Sequence, residues 1–149
     1  MTAAGLHALY DETVLDHSRR PRNRRAIEGA RNAEQRNPIC GDRITVYVRL
    51  DGDVIRDVGF EGSACAISIA SASLMTEVVQ GQTVAAASAL AERFHGMIAA
   101  PPGAPVVEDM GTLAALAGLR QFPIRVKCAS LAWQALGAAV NGSQRGRVD

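Results

Sequence analysis

Between Arg43 and Leu50 the chain alternates: Ile44, Val46, Val48 and Leu50 fall on one side, and Arg43, Thr45, Tyr47 and Arg49 on the other. A period of two marks a strand with one buried face. Asp51-Gly52 then reads as a hairpin turn, and Val54 to Phe60 returns as a second strand with Val58 and Phe60 inward. A third short strand or a loop is expected over Gly62 to Ser68. Elsewhere the apolar residues recur every three to four positions, which predicts helices. Leu6, Leu9, Tyr10 and Val14 lead to His17 in a short amphipathic helix, and Pro21 breaks the chain beyond it. Ser71, Leu74, Met75, Val78 and Val79 form a second helix ended by Gly81. Thr83 is the expected N-cap of a third, which carries Val84, Ala87, Leu90, Ala91 and Phe94. The prolines of 99–107 mark a loop, and a short helix follows over Leu113 to Leu119, stopped by Pro123. The last helix begins near Arg125 and carries Leu131, Ala132, Ala135, Leu136 and Ala139. The expected architecture is α+β, a small three-stranded antiparallel sheet with helices packed on one face, in a single domain over residues 1–149.

Composition narrows the function more than the fold. With 48% hydrophobic but only 4% aromatic residues, the core must be built from aliphatic side chains. A net charge of +1 gives no general case for nucleic-acid binding. The N-terminal residues lack a basic region followed by an apolar one, and no apolar run is long enough to span a bilayer, so the expected location is the cytoplasm. Three cysteines in a reducing compartment favour metal or thiol chemistry over disulfides. Arg19, Arg20, Arg22, Arg24 and Arg25 read either as a docking patch for an acidic partner or as a solvated loop.

The candidate chemistry lies in Asn37-Pro38-Ile39-Cys40-Gly41-Asp42. Pro38 and Gly41 favour a tight turn, in which Cys40 and Asp42 can point at one ion. Cys65 sits among small residues, and Cys128 is expected at or near the N-terminus of the last helix, where the dipole and Lys127 favour its thiolate. Three thiolates and a carboxylate make four ligands, the number that a tetrahedral zinc or a cluster iron takes. No C-x-x-C pair is present, which argues against a zinc ribbon or a thioredoxin-type site. The residues alone leave two readings open, a shared metal site and unconnected buried cysteines. Arg125 and Lys127 read as electrostatic or partner contacts, or as solvated charges. Read alone, His17 is a helix-end histidine, His7 and His95 stand away from any cysteine, and Trp133 and Met75 are apolar packing residues.

The blocks Asn37–Asp42, Phe60-Glu61-Gly62-Ser63-Ala64-Cys65-Ala66-Ile67-Ser68 and Arg125-Val126-Lys127-Cys128-Ala129-Ser130-Leu131-Ala132-Trp133 resemble, in order, the three signature blocks of the iron–sulfur cluster scaffold family. That family comprises the U-type scaffolds of the Isc, Nif and Suf systems. Leu9-Tyr10 through Asp16-His17 and Pro21-Arg22-Asn23 resemble its N-terminal block. The SufU type is the nearer likeness, because Lys127 stands where the Isc type has histidine and the segment from about 99 to 122 resembles the SufU insertion. The resemblance implies that Cys40, Asp42, Cys65 and Cys128 bind zinc and that Cys40 accepts persulfide sulfur from a cysteine desulfurase of the SufS type. A downstream Suf scaffold complex would then take the sulfur on. The alternative is a scaffold that assembles and transfers a [2Fe–2S] cluster on the same ligands. A hydrolytic zinc enzyme is disfavoured by four protein ligands and the lack of an H-E-x-x-H motif. One departure is Ala64, where the family usually has glycine, and a small backbone shift is expected there.

Overall fold

The structure, a computed structural model, describes residues 12–39, 41–105 and 108–141, without the side chains of 108 and 109. Helix α1 spans Glu12–Arg19, and the rest of the N-terminal helix expected from Leu6 lies outside the described residues. Three strands follow, β1 (Arg31–Arg36), β2 (Arg43–Asp51) and β3 (Val54–Ser63), then α2 (Ala66–Val79) and α3 (Val84–Ala99). A 3-10 segment over Glu108–Gln121, broken at Gly111, leads to α4 (Pro123–Val140).

The sheet is antiparallel in the order β1-β2-β3. Its inner face forms because every second residue of β2, namely Ile44, Val46 and Val48, is fully buried. Ala33, Val46 and Phe60 sit opposite one another across the three strands and all three are fully buried. Helices α2 and α4 cover this face, as expected, with α3 and the 3-10 segment packed beyond α4. Phe94 of α3 stacks on Trp133 of α4 at a centroid distance of 4.8 Å, which makes Trp133 the anchor expected of it. Met75 is likewise fully buried.

The third strand is not where the sequence pattern suggests. Gly62 and Ser63 extend β3, and α2 begins at Ala66, so no separate strand forms there. The third strand is β1, Arg-Asn-Ala-Glu-Gln-Arg, in which Ala33 is the single apolar side chain. Its backbone pairs with β2 throughout, and pairing with a strongly patterned neighbour overrides its weak strand propensity. The expected helix over Leu113 to Leu119 is also different in kind. Met110, Leu113, Leu116 and Leu119 are buried at a strict spacing of three, which matches the three-residue turn of a 3-10 helix. Arg120 pins this segment by donating to the carbonyls of Met97 and Ala104.

The arginine-rich stretch belongs to the fold. Asn23, at φ 60°, accepts from the Phe60 N–H through its carbonyl at 3.0 Å, so the chain runs along the free edge of β3. Arg22 pairs with Asp16 at 2.5 Å, Arg25 with Asp57 at 2.7 Å, and Arg24 donates to the Gly62 carbonyl at 3.2 Å. Arg22 thus ties the stretch to α1, and Arg24 and Arg25 tie it to β3, while Arg19 and Arg20 stay exposed.

Helix α2 is buried on nearly all sides, and its hydroxyls are spent on neighbours. Ser71 donates to the Ala129 carbonyl of α4 at 2.7 Å, and Ser73 accepts from the Arg22 N–H at 2.8 Å. His17 Nδ1 lies 2.7 Å from Ser73 Oγ, and its Nε2 lies 3.4 Å from Glu77 Oε1. Burial, and then the charge of Arg22, hold the His17 pKa below the ordinary histidine value, against the opposing pull of Glu77 and Asp16. The unfolded chain therefore takes up this proton more readily than the fold does, and stability falls as pH drops through the ordinary histidine range of about 6.5. Thermal melts between about pH 7.5 and 5.5 should show the wild type losing more stability than His17→Asn. Equal losses would place the proton elsewhere.

Candidate metal centre

Two of the three cysteines and the aspartate meet. One ligand atom from each of Asp42, Cys65 and Cys128 lies within 4.8 Å of the others. Asp42 opens the region where β2 leaves its turn, and the turn is closed by two backbone bonds, Asn37 N–H to the Asp42 carbonyl at 2.9 Å and Gly41 N–H to the Asn37 carbonyl at 2.8 Å. Asn37 Oδ1 also accepts from the Ile39 N–H at 3.0 Å, and Gly41 takes φ 77°, a conformation that favours glycine. Cys40 lies outside the described residues, between Ile39 and Gly41 in sequence.

Cys65 is the N-cap of α2, half-buried at the end of β3. Cys128 is 1% exposed. It is not at the N-terminus of the last helix, as its sequence context suggests, because α4 starts at Pro123 and Cys128 falls in its second turn. Pro123, read as a stop, is the first residue of α4, a position where its missing N–H costs nothing. The cysteine placed to feel a helix N-terminus is therefore Cys65.

The neighbours of Cys65 set its acidity. Hydrogen bonding with the Cys128 side chain is the main influence, and it brings the Cys65 pKa down to about 6 with smaller help from Ser68, against burial and the Asp42 charge. The Arg125 guanidinium lies beside both thiols. Burial works to lower its pKa, but the Cys65 charge and hydrogen bonds to Cys128 and Cys65 raise it overall. Both Arg125 and Lys127 are exposed. Asp42 is 6% exposed, and both its oxygens are engaged: Oδ1 accepts from the Cys65 N–H at 3.1 Å and Oδ2 from Ser68 Oγ at 2.8 Å.

This donor set suits zinc. Ligands of a tetrahedral zinc at bond lengths of about 2.0–2.3 Å stand roughly 3.3–3.8 Å apart, so the three groups need draw in only slightly. Two thiolates and a carboxylate are common zinc ligands, and the same thiolates suit cluster iron.

Ala64 is not among the residues with positive φ, so the loop does not require glycine there. The glycine requirement falls on Gly62, at φ 155°, where an added Cβ would meet the Arg43 carbonyl oxygen at 2.1 Å. Of the other histidines, His7 lies outside the described residues, and His95 lines an open groove of about 440 Å³ between α3 and α4 with Glu92 and Trp133.

Residues 9–129 match the family model described as NifU-like N terminal domain. This chain belongs to the NifU-like N-terminal domain family. The zinc-dependent sulfurtransferase SufU of Bacillus subtilis is 38% identical over 143 residues, covering 96% of this chain and 97% of its own length. The iron–sulfur cluster assembly scaffold protein IscU of Streptococcus pyogenes is 40% identical over 143 residues, 96% of this chain and 89% of its own. A nitrogen-fixing NifU-like protein (N-terminal) from Brucella abortus, 20% identical, shares the fold with a TM-score of 0.83 over 93% of this chain and 96% of that one. As a NifU-like domain the chain places Asp42, Cys65 and Cys128, one from each of the three signature blocks, at one point. No helix among the described residues is long and apolar enough to cross a membrane.

Ser68 had no assigned role in the sequence. Its hydroxyl lies 2.8 Å from Asp42 Oδ2, 3.0 Å from the Cys128 carbonyl and 3.7 Å from Cys65 Sγ. The one available signal was its position three residues after a candidate ligand at the start of a helix, which returns a side chain to the same face.

Proposed function

We propose that this chain is a single-domain iron–sulfur cluster assembly protein that accepts persulfide sulfur on Cys40 from a cysteine desulfurase of the SufS type. Zinc would be held by Cys40, Asp42, Cys65 and Cys128, and the sulfur would pass on to a Suf scaffold complex. The observation that supports this is the meeting of Asp42, Cys65 and Cys128, with Cys40 two residues from Asp42 in sequence.

Zinc supplies one thing here, thiols kept as thiolates at neutral pH. The chain supplies the rest. Cys128 is buried and cannot reach a partner protein, so it serves as a fixed ligand. Cys65 is tied through its backbone to Asp42. Cys40 follows in sequence Ile39, which lies between β1 and β2 and is 75% exposed. In the transfer the Cys40 thiolate attacks the outer sulfur of the donor persulfide. A new S–S bond forms on Cys40 as the donor's S–S bond breaks, and the donor leaves as a thiolate, with no net redox change.

A second reading, assembly and transfer of a [2Fe–2S] cluster, uses the same residues, and the scaffold name of the Streptococcus pyogenes relative favours it. Anaerobic purification separates the two. Colourless protein with one zinc per chain and strong stimulation of a SufS-type desulfurase is the expected result. Brown protein with a stable cluster and no effect on the desulfurase would overturn the sulfur-transfer reading in favour of the scaffold.

A further inference from the structure

We propose that Ser68 is a positioning residue of the metal centre, whose hydroxyl holds the Asp42 carboxylate facing Cys65 and Cys128. This rests on the reading of Asp42, Cys65 and Cys128 as ligands.

Ser68 is fully buried in the first turns of α2. Its single proton has two oxygens within reach, Asp42 Oδ2 at 2.8 Å and the Cys128 carbonyl at 3.0 Å. The carboxylate is charged and accepts the stronger bond. The carbonyl lies inside α4, where the helix ladder already supplies a donor from four residues on. The proton therefore belongs on Asp42. With the Cys65 N–H on Oδ1, each carboxylate oxygen has one protein donor and keeps lone-pair capacity for an ion. Asp42 enters the site from a turn, whereas Cys65 and Cys128 enter from helices that pack on each other. A carboxylate on a turn has the most freedom to rotate away, and the Ser68 bond removes that freedom. Hydrogen-bond partners of metal ligands orient them and commonly change affinity by about 10–100-fold.

Helix α2 contains its own control. Ser71 is equally buried and reaches α4 in the same way, through the Ala129 carbonyl at 2.7 Å, but none of its recorded hydrogen bonds goes to Asp42, Cys65 or Cys128. If Ser68 served only to clasp α2 to α4, loss of either hydroxyl would act alike on the metal.

The test is zinc affinity, by competition with a chromophoric chelator, and the zinc release rate, both on the full chain. Ser68→Ala should weaken zinc binding about 10–100-fold and speed its release, while Ser71→Ala leaves both unchanged. In an Asp42→Ala background the effect of Ser68→Ala should vanish, because the hydroxyl would have no carboxylate left to orient. Equal weakening by both serine variants, or an undiminished Ser68→Ala effect without Asp42, would overturn the proposal and leave Ser68 a packing residue. An Asp42→Ala variant that binds zinc as the wild type does would overturn the ligand set itself, and Ser68's role with it. Should Ser68→Ala not fold, Ser68→Thr, which keeps the hydroxyl, gives the second comparison: zinc affinity and release close to those of the wild type are expected, and a folded Ser68→Thr that binds zinc about 10-fold or more weakly would overturn the proposal.

Discussion

In a Cys40→Ala variant, sulfur acceptance from the desulfurase is expected to fall to background while part of the zinc stays bound. The three thiols are not equivalent. Cys128 is 1% exposed in the second turn of α4, and a donor persulfide on another protein cannot approach it. Cys65 is half-buried at the junction of β3 and α2, with its N–H held by Asp42. The turn that contains Cys40 in sequence is the one that bears Ile39, an exposed large apolar residue beside which a partner can seat. Asp42, Cys65 and Cys128 already lie within 4.8 Å of one another, so on the proposed reading three ligands survive the substitution. Two assays read the outcome together: desulfurase turnover with the variant as acceptor, and zinc content of the same sample. Wild-type stimulation by the variant would remove Cys40 from the acceptor role.

Gly62→Ala should be strongly damaging to the sheet. At φ 155° a side chain is strained, and the added Cβ would stand 2.1 Å from the Arg43 carbonyl oxygen, a backbone atom that cannot swing aside. Gly62 pairs with Ile44, so relief means prising β2 from β3 at the end that leads to Cys65. Strain and contact together should cost about 3 kcal/mol or more. In a chain of this length that lowers the melting temperature by roughly 10 °C, measurable by circular dichroism. Ala64→Gly, two residues on, should leave the melting temperature within a few degrees, because Ala64 already has negative φ. A stable Gly62→Ala variant would mean that the strand ends can part without loss.

How much of this could be read from the letters depended on what carried each signal. The β2–β3 hairpin was plain because alternation in β2 is dictated by burial of one face. Thr83 capped α3 as expected, its hydroxyl accepting from the Ala86 N–H at 3.0 Å. β1 was hidden because its stability lies in backbone pairing to β2, which has no side-chain signature. The start of α2 was set five residues late, because a helix buried on nearly all sides has too small an exposed face to give a period. For the site, the blocks identified the residues, and the fold alone supplied their meeting. The placement of Cys128 inside α4 was missed because Lys127 and Arg125 look like an approach to a helix, when in fact the helix had already begun at Pro123.

Two of the proposed ligands are mounted on helices that pack on each other and are joined by the Ser71 bond to the Ala129 carbonyl, and Asp42 comes from a turn at the far end of a two-strand ribbon. Binding an ion therefore bolts the tip of that ribbon to the helical layer. The helical pair is a ready socket, and the ribbon is an interchangeable plug: exchanging only the six-residue turn between family members should retune metal preference and release without reworking the interior that holds the protein together.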